Sequence, residues 1–179
     1  MLKNSTDRSD NSKEWMIESL FILMMKKKFK SISISDIAQK AGVDRRTFYR
    51  HFSSKEDIIR FKIRKMSKEY EKIILSHDNF KTKAVFFSFF TVCEQEKESL
   101  LCLYKSDLLP LFLKEFERLF EMHYSKNKKI ELTSESVVIK YLLAYHIGGF
   151  WNVLNKWLSE GAIKTPDEMT TILLSTLPG

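Results

Sequence analysis

Hydrophobic residues recur along most of this chain at the three- and four-residue spacing of an α-helix. In the first such stretch, Ile17, Leu20, Phe21 and Met24 share one face, which predicts a helix over 11–28 with Asn11 as its cap. No stretch alternates apolar and polar residues as a strand does. The pattern predicts an all-α fold of about nine helices, the others covering 34–41, 45–52, about 54–76, 80–97, 99–105, a stretch from Pro110, 134–160 and 166–177.

Length and composition agree with this pattern. The chain has 179 residues, of which 44% are hydrophobic and 30% charged, as is typical of one large globular domain or two small ones. Five glycines and three prolines are too few for a turn-rich sandwich or barrel. No run of 18 apolar residues exists, and the first residues hold no hydrophobic secretion core. We therefore expect a cytoplasmic protein without a membrane span.

The positive charge is unevenly distributed. The net charge is +7, but residues 1–76 hold 18 Lys/Arg and 10 Asp/Glu, whereas residues 77–179 hold 12 and 13. A basic module joined to a near-neutral one suggests a polyanionic partner for the first part. The alternative is a solvated, lysine-rich face.

A helix-turn-helix is predicted over residues 34–48. Ala38 is small enough for two helices to pack closely, and Gly42, four residues later, can adopt the positive φ of the turn. The pattern of Ser33 and Asp36 is that of a capping box ahead of the first helix, and Asp44 can cap the second. The apolar contacts that would hold the pair together are Ile37, Val43 and Phe48.

The second helix of this motif has a polar face that core packing does not explain. It carries Arg45, Arg46, Tyr49 and Arg50. Arginine can reach guanine edges with two hydrogen bonds, and arginine, threonine and tyrosine also bind phosphates. Lys55 adds a cation near the start of the next helix, where free backbone N–H groups favour a phosphate. The alternative is a surface helix with ordinary salt bridges.

Two strings in this region, DIAQKAGV (36–43) and TFYRHFSSKEDI (47–58), resemble the DNA-binding signature of TetR/AcrR-type bacterial transcription regulators. The resemblance covers about residues 11–60. It implies a three-helix DNA-binding domain followed by a helical ligand-binding and dimerisation domain, which we place at 1–60 and 61–179. It also implies a homodimer that binds a palindromic double-stranded operator, usually as a repressor released by a small molecule. The string YHIGGFWNVLNKWLSEG (145–161) resembles the branch that includes regulators of dihydroxyacetone kinase operons.

The resemblance also implies roles for single residues. Positions that often contact phosphates correspond to Thr47, Tyr49, His51 and Lys55. Variable positions that often read bases correspond to Arg45, Arg46 and Arg50. Ser33 completes the predicted DNA-binding set. The family often has a glycine after the first helix where this chain has Lys28, which would carry strain on the order of 1 kcal/mol if it were left-handed.

Aromatic residues are frequent in the second half and suggest a hydrophobic effector pocket between helices. For each of these residues the plainer interpretation is helix-bundle core. No charged residue stands on an apolar face, so the sequence leaves the polarity of the ligand open. The predicted ligand-binding set is Phe86, Phe90, Leu101, Phe112, Phe116, Tyr141 and Tyr145.

A pair of glycines interrupts the long helix predicted over 134–160. Each costs about 1 kcal/mol relative to alanine in a helix, so we expect them to serve a close helix crossing at a dimer interface. The alternative is a kink around a pocket. The predicted interface set is Gly148, Gly149, Trp151, Leu154, Trp157, Leu173 and Leu174.

Motifs of other functional classes are missing from the sequence. The cysteines have no CxxC spacing, the four histidines have no metal-ligand spacing, and no phosphate loop or nucleophile elbow occurs, so we expect no metal, no cofactor and no enzymatic activity. We predict a DNA-binding transcriptional regulator, most simply a homodimeric repressor controlled by an unknown small molecule. The alternative is a regulator, repressor or activator, that is controlled by a protein partner and has no small-molecule pocket. A lipid binder with a vestigial DNA module is disfavoured because the arginines of the second motif helix remain together.

Overall fold

The computed structural model describes residues 3–75, 82–115, 117–118 and 134–176. Within these ranges it consists of α-helices, turns and one 3₁₀ turn, without a strand, so the all-α prediction is confirmed. The elements are α1 (Lys3–Met24), the 3₁₀ turn (Phe29–Ser31), α2 (Ile34–Lys40), α3 (Arg45–His51), α4 (Lys55–Leu75), α5 (Thr82–Gln95), α6 (Lys97–Lys105), α7 (109–115, with 117–118 also helical), α8 (Ser134–Ser159) and α9 (Pro166–Ser175).

Internal contacts divide the chain into two compact units, Met1–Ile63 and Arg64–Gly179. Helix α4 begins in the first unit and ends in the second. The assignment of a DNA-binding role to residues 1–60 and of a ligand-binding and dimerisation role to residues 61–179 stays a prediction.

In the first unit, α2 packs against both α1 and α3. Ser33 caps α2 in a capping box, because its hydroxyl accepts the Asp36 N–H while the Asp36 carboxylate accepts the Ser33 N–H. Gly42 adopts φ +67° in the turn between α2 and α3, as predicted. The core of this unit contains the fully buried side chains of Met16, Leu20, Ile37, Phe48, Ile58, Ile59 and Ile63.

Two local predictions in this unit are wrong. Helix α1 begins at Lys3, so Asn11 lies inside the helix rather than at its cap. An exposed asparagine is tolerated there because its helix propensity is only a few tenths of a kcal/mol worse than that of a typical residue. Helix α1 also ends at Met24, and Lys28 has φ −57° and ψ 137°, an extended conformation without the left-handed strain.

The second unit is built around α5, which packs along α9 and against α6, while α6 also contacts α8. Its fully buried residues include Phe90, Leu100, Leu103 and Leu154. Helix α9 begins with a capping box between Thr165 and Glu168 and with Pro166 at its first turn, as the sequence predicts. Gly161 ends α8 at φ +82°.

Candidate nucleic-acid interface and effector core

Helix α3 presents a cationic face to solvent. Arg45, Arg46, Tyr49 and Arg50 are all exposed, whereas Phe48 on the opposite face is fully buried. Among the ion pairs found in the described residues, none involves these three guanidinium groups. The alternative of a surface helix with ordinary salt bridges therefore finds no support in the described part of the chain.

The orientation of α3 is set at its first turn. The Asp44 carboxylate accepts the Thr47 N–H at 2.5 Å, and this bond is the largest of the effects that lower the pKa of Asp44; the Thr47 hydroxyl, Arg50 and Arg46 add to it. The carboxylate therefore stays ionised, and a negative charge at a helix N-terminus stabilises the helix. Together with the Gly42 turn, this cap fixes where the arginines project.

The side chain of Lys55 points at the backbone of its own unit. Its Nζ donates to the carbonyl oxygens of Phe29 at 2.7 Å, Ile32 at 2.8 Å and Lys30 at 3.3 Å, and it lies 4.5 Å from the centre of the Phe29 ring. An ammonium has three donors, and these carbonyls occupy all three. The side chain therefore holds the 3₁₀ turn that precedes α2, and its phosphate contact with DNA stays a prediction.

The other predicted DNA-binding residues are less exposed than the arginines, or their polar groups are hydrogen-bonded within the protomer. Ser33 is exposed, but its hydroxyl also donates to Asp36 at 2.8 Å and so belongs to the cap of α2. Thr47 is half-buried, with its hydroxyl hydrogen-bonded to Asp44, and His51 is half-buried at the end of α3. Exposure therefore favours the arginines and Tyr49 as the surface that meets a partner.

Two small cavities lie in the second unit, each of about 10 Å³. Phe89 and Phe112 border both cavities. The surface that lines the first cavity is apolar throughout, and its other walls include Leu113, Ile147, Phe150 and Leu154. The second reaches α4 and α5, and its walls include Met66, Ser67, Tyr70, Val92 and Cys93. Each has room for about one water molecule, far below the roughly 300–1,000 Å³ of a ligand pocket.

The titratable groups of the second cavity are neutral at physiological pH. Burial raises the pKa of Tyr70 to about 12, and burial also raises the pKa of the Cys93 thiol. The Tyr70 ring meets Phe89 edge to face, with centroids 6.3 Å apart. The Tyr70 hydroxyl and the Cys93 thiol therefore stay neutral, and the surface that lines this cavity is apolar.

The predicted ligand-binding residues separate into three groups. Phe112 borders both cavities, while Phe86 packs on Phe150 and Phe90 on Trp157, as core residues do. Leu101 is half-buried on α6 and borders neither cavity. Tyr141 and Tyr145 are 75% and 76% exposed on α8 and border neither cavity, so their ligand-binding role stays a prediction. Phe116 lies outside the described residues.

The predicted interface residues lie on different faces of α8 and on α9. Leu154 and Trp157 are 0% and 2% exposed, so they have almost no surface for a partner and belong to the core instead. Trp151 is half-buried beside the first cavity. A Cβ built on Gly148 or Gly149 would meet nothing within 4 Å, so no contact among the described residues requires either glycine. Leu173 and Leu174 are half-buried on α9.

A buried carboxylate links two helices of this unit. The side chain of Glu115 is 7% exposed and accepts from Arg118 at 2.5 Å and from Arg64 of α4 at 3.3 Å. Burial opposes ionisation, but the hydrogen bond from Arg118 and the charges of both arginines lower the pKa of Glu115 below its ordinary value. The ion pair therefore ties α4 to α7 one turn from Phe112.

Family models match most of the chain. The model described as "Bacterial regulatory proteins, tetR family" matches residues 18–60, and the model described as "Transcriptional regulator C-terminal region" matches residues 80–179. The chain belongs to the TetR family of bacterial transcriptional regulators. The first match contains α2 and α3, and so places the exposed arginines in the part that the family shares.

Solved structures of TetR-type proteins have the same fold at low sequence identity. A TetR transcriptional regulator from Streptococcus agalactiae 2603V matches with a TM-score of 0.64 and 17% identity over 100% of both chains. A TetR-family regulator from Syntrophomonas wolfei str. Goettingen gives 0.61 and 21%, covering 93% of this chain and 92% of that one. The dihydroxyacetone kinase operon activator DhaS gives 0.57 and 15% over 92% of both. No curated protein matches the chain in sequence.

Sequence reasoning missed several residues of the core of this TetR-family chain. Met66, Ser67 and Tyr70 bring α4 to the second cavity, and Ile147 and Phe150 bring α8 to the first. Helical spacing predicts Met66 and Tyr70 on the apolar stripe of α4, but spacing alone does not separate a cavity wall from ordinary core. In the described part of the chain no helix is both long and apolar enough to cross a bilayer.

Proposed function

We propose that this TetR-family protein is a homodimeric transcriptional repressor that binds a palindromic operator through α3 and is released by a small molecule. We also infer that it has no enzymatic activity and acts in the cytoplasm, with its operator. The observation that carries the DNA-binding part is the exposed cluster of Arg45, Arg46 and Arg50 on a capped helix of a helix-turn-helix. Arginine on such a helix is the side chain best suited to guanine and phosphate.

Binding to DNA from the protein's own upstream region tests this proposal. Fluorescence anisotropy at two salt concentrations, with random DNA as competitor, should reveal specific binding with a steep salt dependence. Arg46→Ala should weaken operator binding by about 1–3 kcal/mol. Lys105→Ala, an exposed cation on α6, is the matched control and should leave affinity nearly unchanged. A loss below about 1 kcal/mol for Arg46→Ala would remove its base-reading role.

The homodimer is supported by the exposed face of α8. Tyr141, Tyr145 and Gly149 are exposed there, and glycine inside a helix costs about 1 kcal/mol with no contact in the described part of the protomer to explain it. A second copy approaching this face closely would explain both features. Gly149→Leu should shift the protein towards monomer in sedimentation velocity, whereas Glu94→Leu, on the exposed surface of α5, should not. Equal sedimentation of both variants and the wild type would exclude this face as the interface.

Release by a ligand is supported by the position of the second cavity. Met66, Ser67 and Tyr70 on its wall belong to α4, the same helix that starts in the first unit at Lys55. A molecule that enlarges this cavity on its α4 side would displace that helix. It shifts the equilibrium only if it binds the DNA-bound and released states unequally.

A second candidate function is a transcriptional regulator that is controlled by a protein partner and that activates rather than represses its target genes. Two observations favour it: each cavity holds only about 10 Å³, and a protein with the same fold, DhaS, is named an operon activator. A reporter gene behind the operator decides the sign, since deletion of a repressor raises expression and deletion of an activator lowers it. A purified protein that no small molecule releases from the operator, but that a cell extract does release, would favour the partner.

A further inference from the structure

Helix α1 carries apolar side chains on its exposed side as well as on its core side. The core side includes Met16 and Leu20, which are fully buried. On the other side, Trp15, Ile22 and Met25 are 49%, 40% and 76% exposed. These three lie seven and three residues apart, which is the spacing of one helix face. Several large apolar side chains grouped on a solvent-facing surface are typical of a binding surface.

This exposed face extends one turn beyond the last residue of α1. The Met25 N–H donates to the Phe21 carbonyl oxygen at 3.1 Å, and the Lys27 N–H donates to the Leu23 carbonyl oxygen at 3.0 Å. Both bonds join residues four apart, as in an α-helix. The backbone therefore keeps the course of a helical turn as far as Lys27.

Two exposed charges of opposite sign lie on either side of the centre of this face. Glu18 is four residues before Ile22, and Lys26 is four residues after it. Residues four apart on a helix are neighbours on one side. Of the ion pairs within the described residues, none involves Glu18 or Lys26. Along its length the face is therefore acidic, then apolar, then basic.

We propose that this face of α1 binds the same face of a second copy of the chain, with the two helices antiparallel and Ile22 at the two-fold axis. A two-fold contact brings the same surface of both copies together. In the antiparallel arrangement Glu18 of each copy lies opposite Lys26 of the other, because both are four residues from the centre. A parallel arrangement would place like charges opposite each other and is disfavoured.

The small size of the face makes this a weak contact. Three partly exposed side chains supply far less apolar surface than the total of about 1,200–2,000 Å² that a stable specific complex buries. The contact therefore acts between copies that are already held close together, as on neighbouring operators, where the effective concentration reaches the mM range. This inference goes beyond the proposed function: the α8 face joins two chains into a dimer, and the α1 face joins two such dimers.

Sedimentation velocity of the full-length protein at increasing concentration, without DNA, tests the contact. The wild type should form a species with twice the mass of the smallest one, and Glu18→Lys or Lys26→Glu should each weaken that step by about threefold or more. The variant with both changes should associate within about twofold of wild type, because the charges have only exchanged places. Glu98→Lys, the same charge change on the exposed surface of α6, should have no effect.

A cross-link tests the position of the two-fold axis. Ile22→Cys places a thiol on that axis, so mild oxidation should join two chains through residue 22. Lys40→Cys, on the exposed surface of α2, should be joined several-fold less, and the wild type gives the background from its own cysteines. Equal cross-linking of both variants would overturn the antiparallel arrangement around Ile22.

Three sedimentation results overturn the proposal: no doubling of mass up to about 1 mM protein, single variants that associate like the wild type, or a double variant that stays as weak as the single ones. If Glu18→Lys changed only operator affinity, DNA would cover this face instead. If it changed only the free energy of unfolding, another part of the same chain would cover it. Gly149→Leu tests the α8 contact separately, so failure of the proposed dimer is a distinct result.

Discussion

The scaffolding role of Lys55 gives a prediction with a calculable size. Lys55→Met keeps the aliphatic stem but removes the ammonium and its bonds to three carbonyl oxygens, two of them at 2.7 and 2.8 Å. A buried hydrogen bond to a charged group contributes about 1.5–3 kcal/mol net. Because the Lys55 side chain is half-buried and water competes for its ammonium, we count the three bonds together as about one such bond. The contact with the Phe29 ring adds about 0.5 kcal/mol. We therefore expect a loss of about 2–3 kcal/mol in the free energy of unfolding.

Urea denaturation followed by circular dichroism measures this loss. With a slope of about 2 kcal/mol per M, the midpoint should fall by about 1 M or slightly more. Lys30→Met makes the same chemical change at an exposed side chain of the 3₁₀ turn and should stay within about 0.5 kcal/mol of wild type.

Operator binding supplies the second arm of this experiment. A side chain that contacts phosphate contributes about 0.9 to the slope of log K against log salt, whereas a scaffold residue contributes none. The scaffold interpretation therefore predicts an unchanged slope for the folded Lys55→Met protein. If Lys55→Met left the stability unchanged and reduced the slope of log K against log salt by about 1, the scaffold interpretation would be refuted. Lys55 would then be a phosphate contact.

Two further predictions concern a backbone conformation and a buried charge. Gly42→Ala should destabilise the protein by about 1 kcal/mol in a urea titration, because φ +67° places the alanine Cβ against its own carbonyl; no change would mean that the turn relaxes. Glu115→Gln should cost on the order of 1 kcal/mol at pH 7. Because the pKa of Glu115 in the folded protein lies below 4.5, the advantage of the wild type is complete above about pH 4.5 and disappears as the pH falls through the folded-state pKa. A difference between wild type and Glu115→Gln that persists unchanged to pH 2 would contradict the ion-pair explanation.

The features that could be predicted from sequence are those decided within four residues. The capping boxes at Ser33 and Thr165, the cap at Asp44 and the turn at Gly42 all depend on neighbours along the chain, and all are present. The exposed arginines of α3 followed from the same local pattern, since Phe48 fixes which face is buried.

Features decided by distant contacts could not be predicted. Lys55 bonds to carbonyls 23 to 26 residues away, and nothing in its local sequence distinguishes an inward ammonium from an exposed one. Helix α8 is apolar on several sides, so its periodicity did not separate the face of Leu154, which is core, from the face of Tyr141 and Tyr145, which is exposed. The cavity walls come from helices α4, α5, α7 and α8, and only folding brings them together.

The shortness of α3 has a consequence for how much sequence information one protomer can read. Seven residues with a rise of 1.5 Å span about 10 Å, which equals the stacking height of roughly three base pairs. A given sequence of three base pairs occurs by chance about once in 64 positions, while a genome offers on the order of 10⁶ or more competing sites. In the proposed regulator, α3 therefore supplies about 6 of the roughly 20 bits that are needed to specify a unique site in the genome. Two such helices on a palindrome double that amount, and the remainder must come from the shape of the DNA between and beside the half-sites.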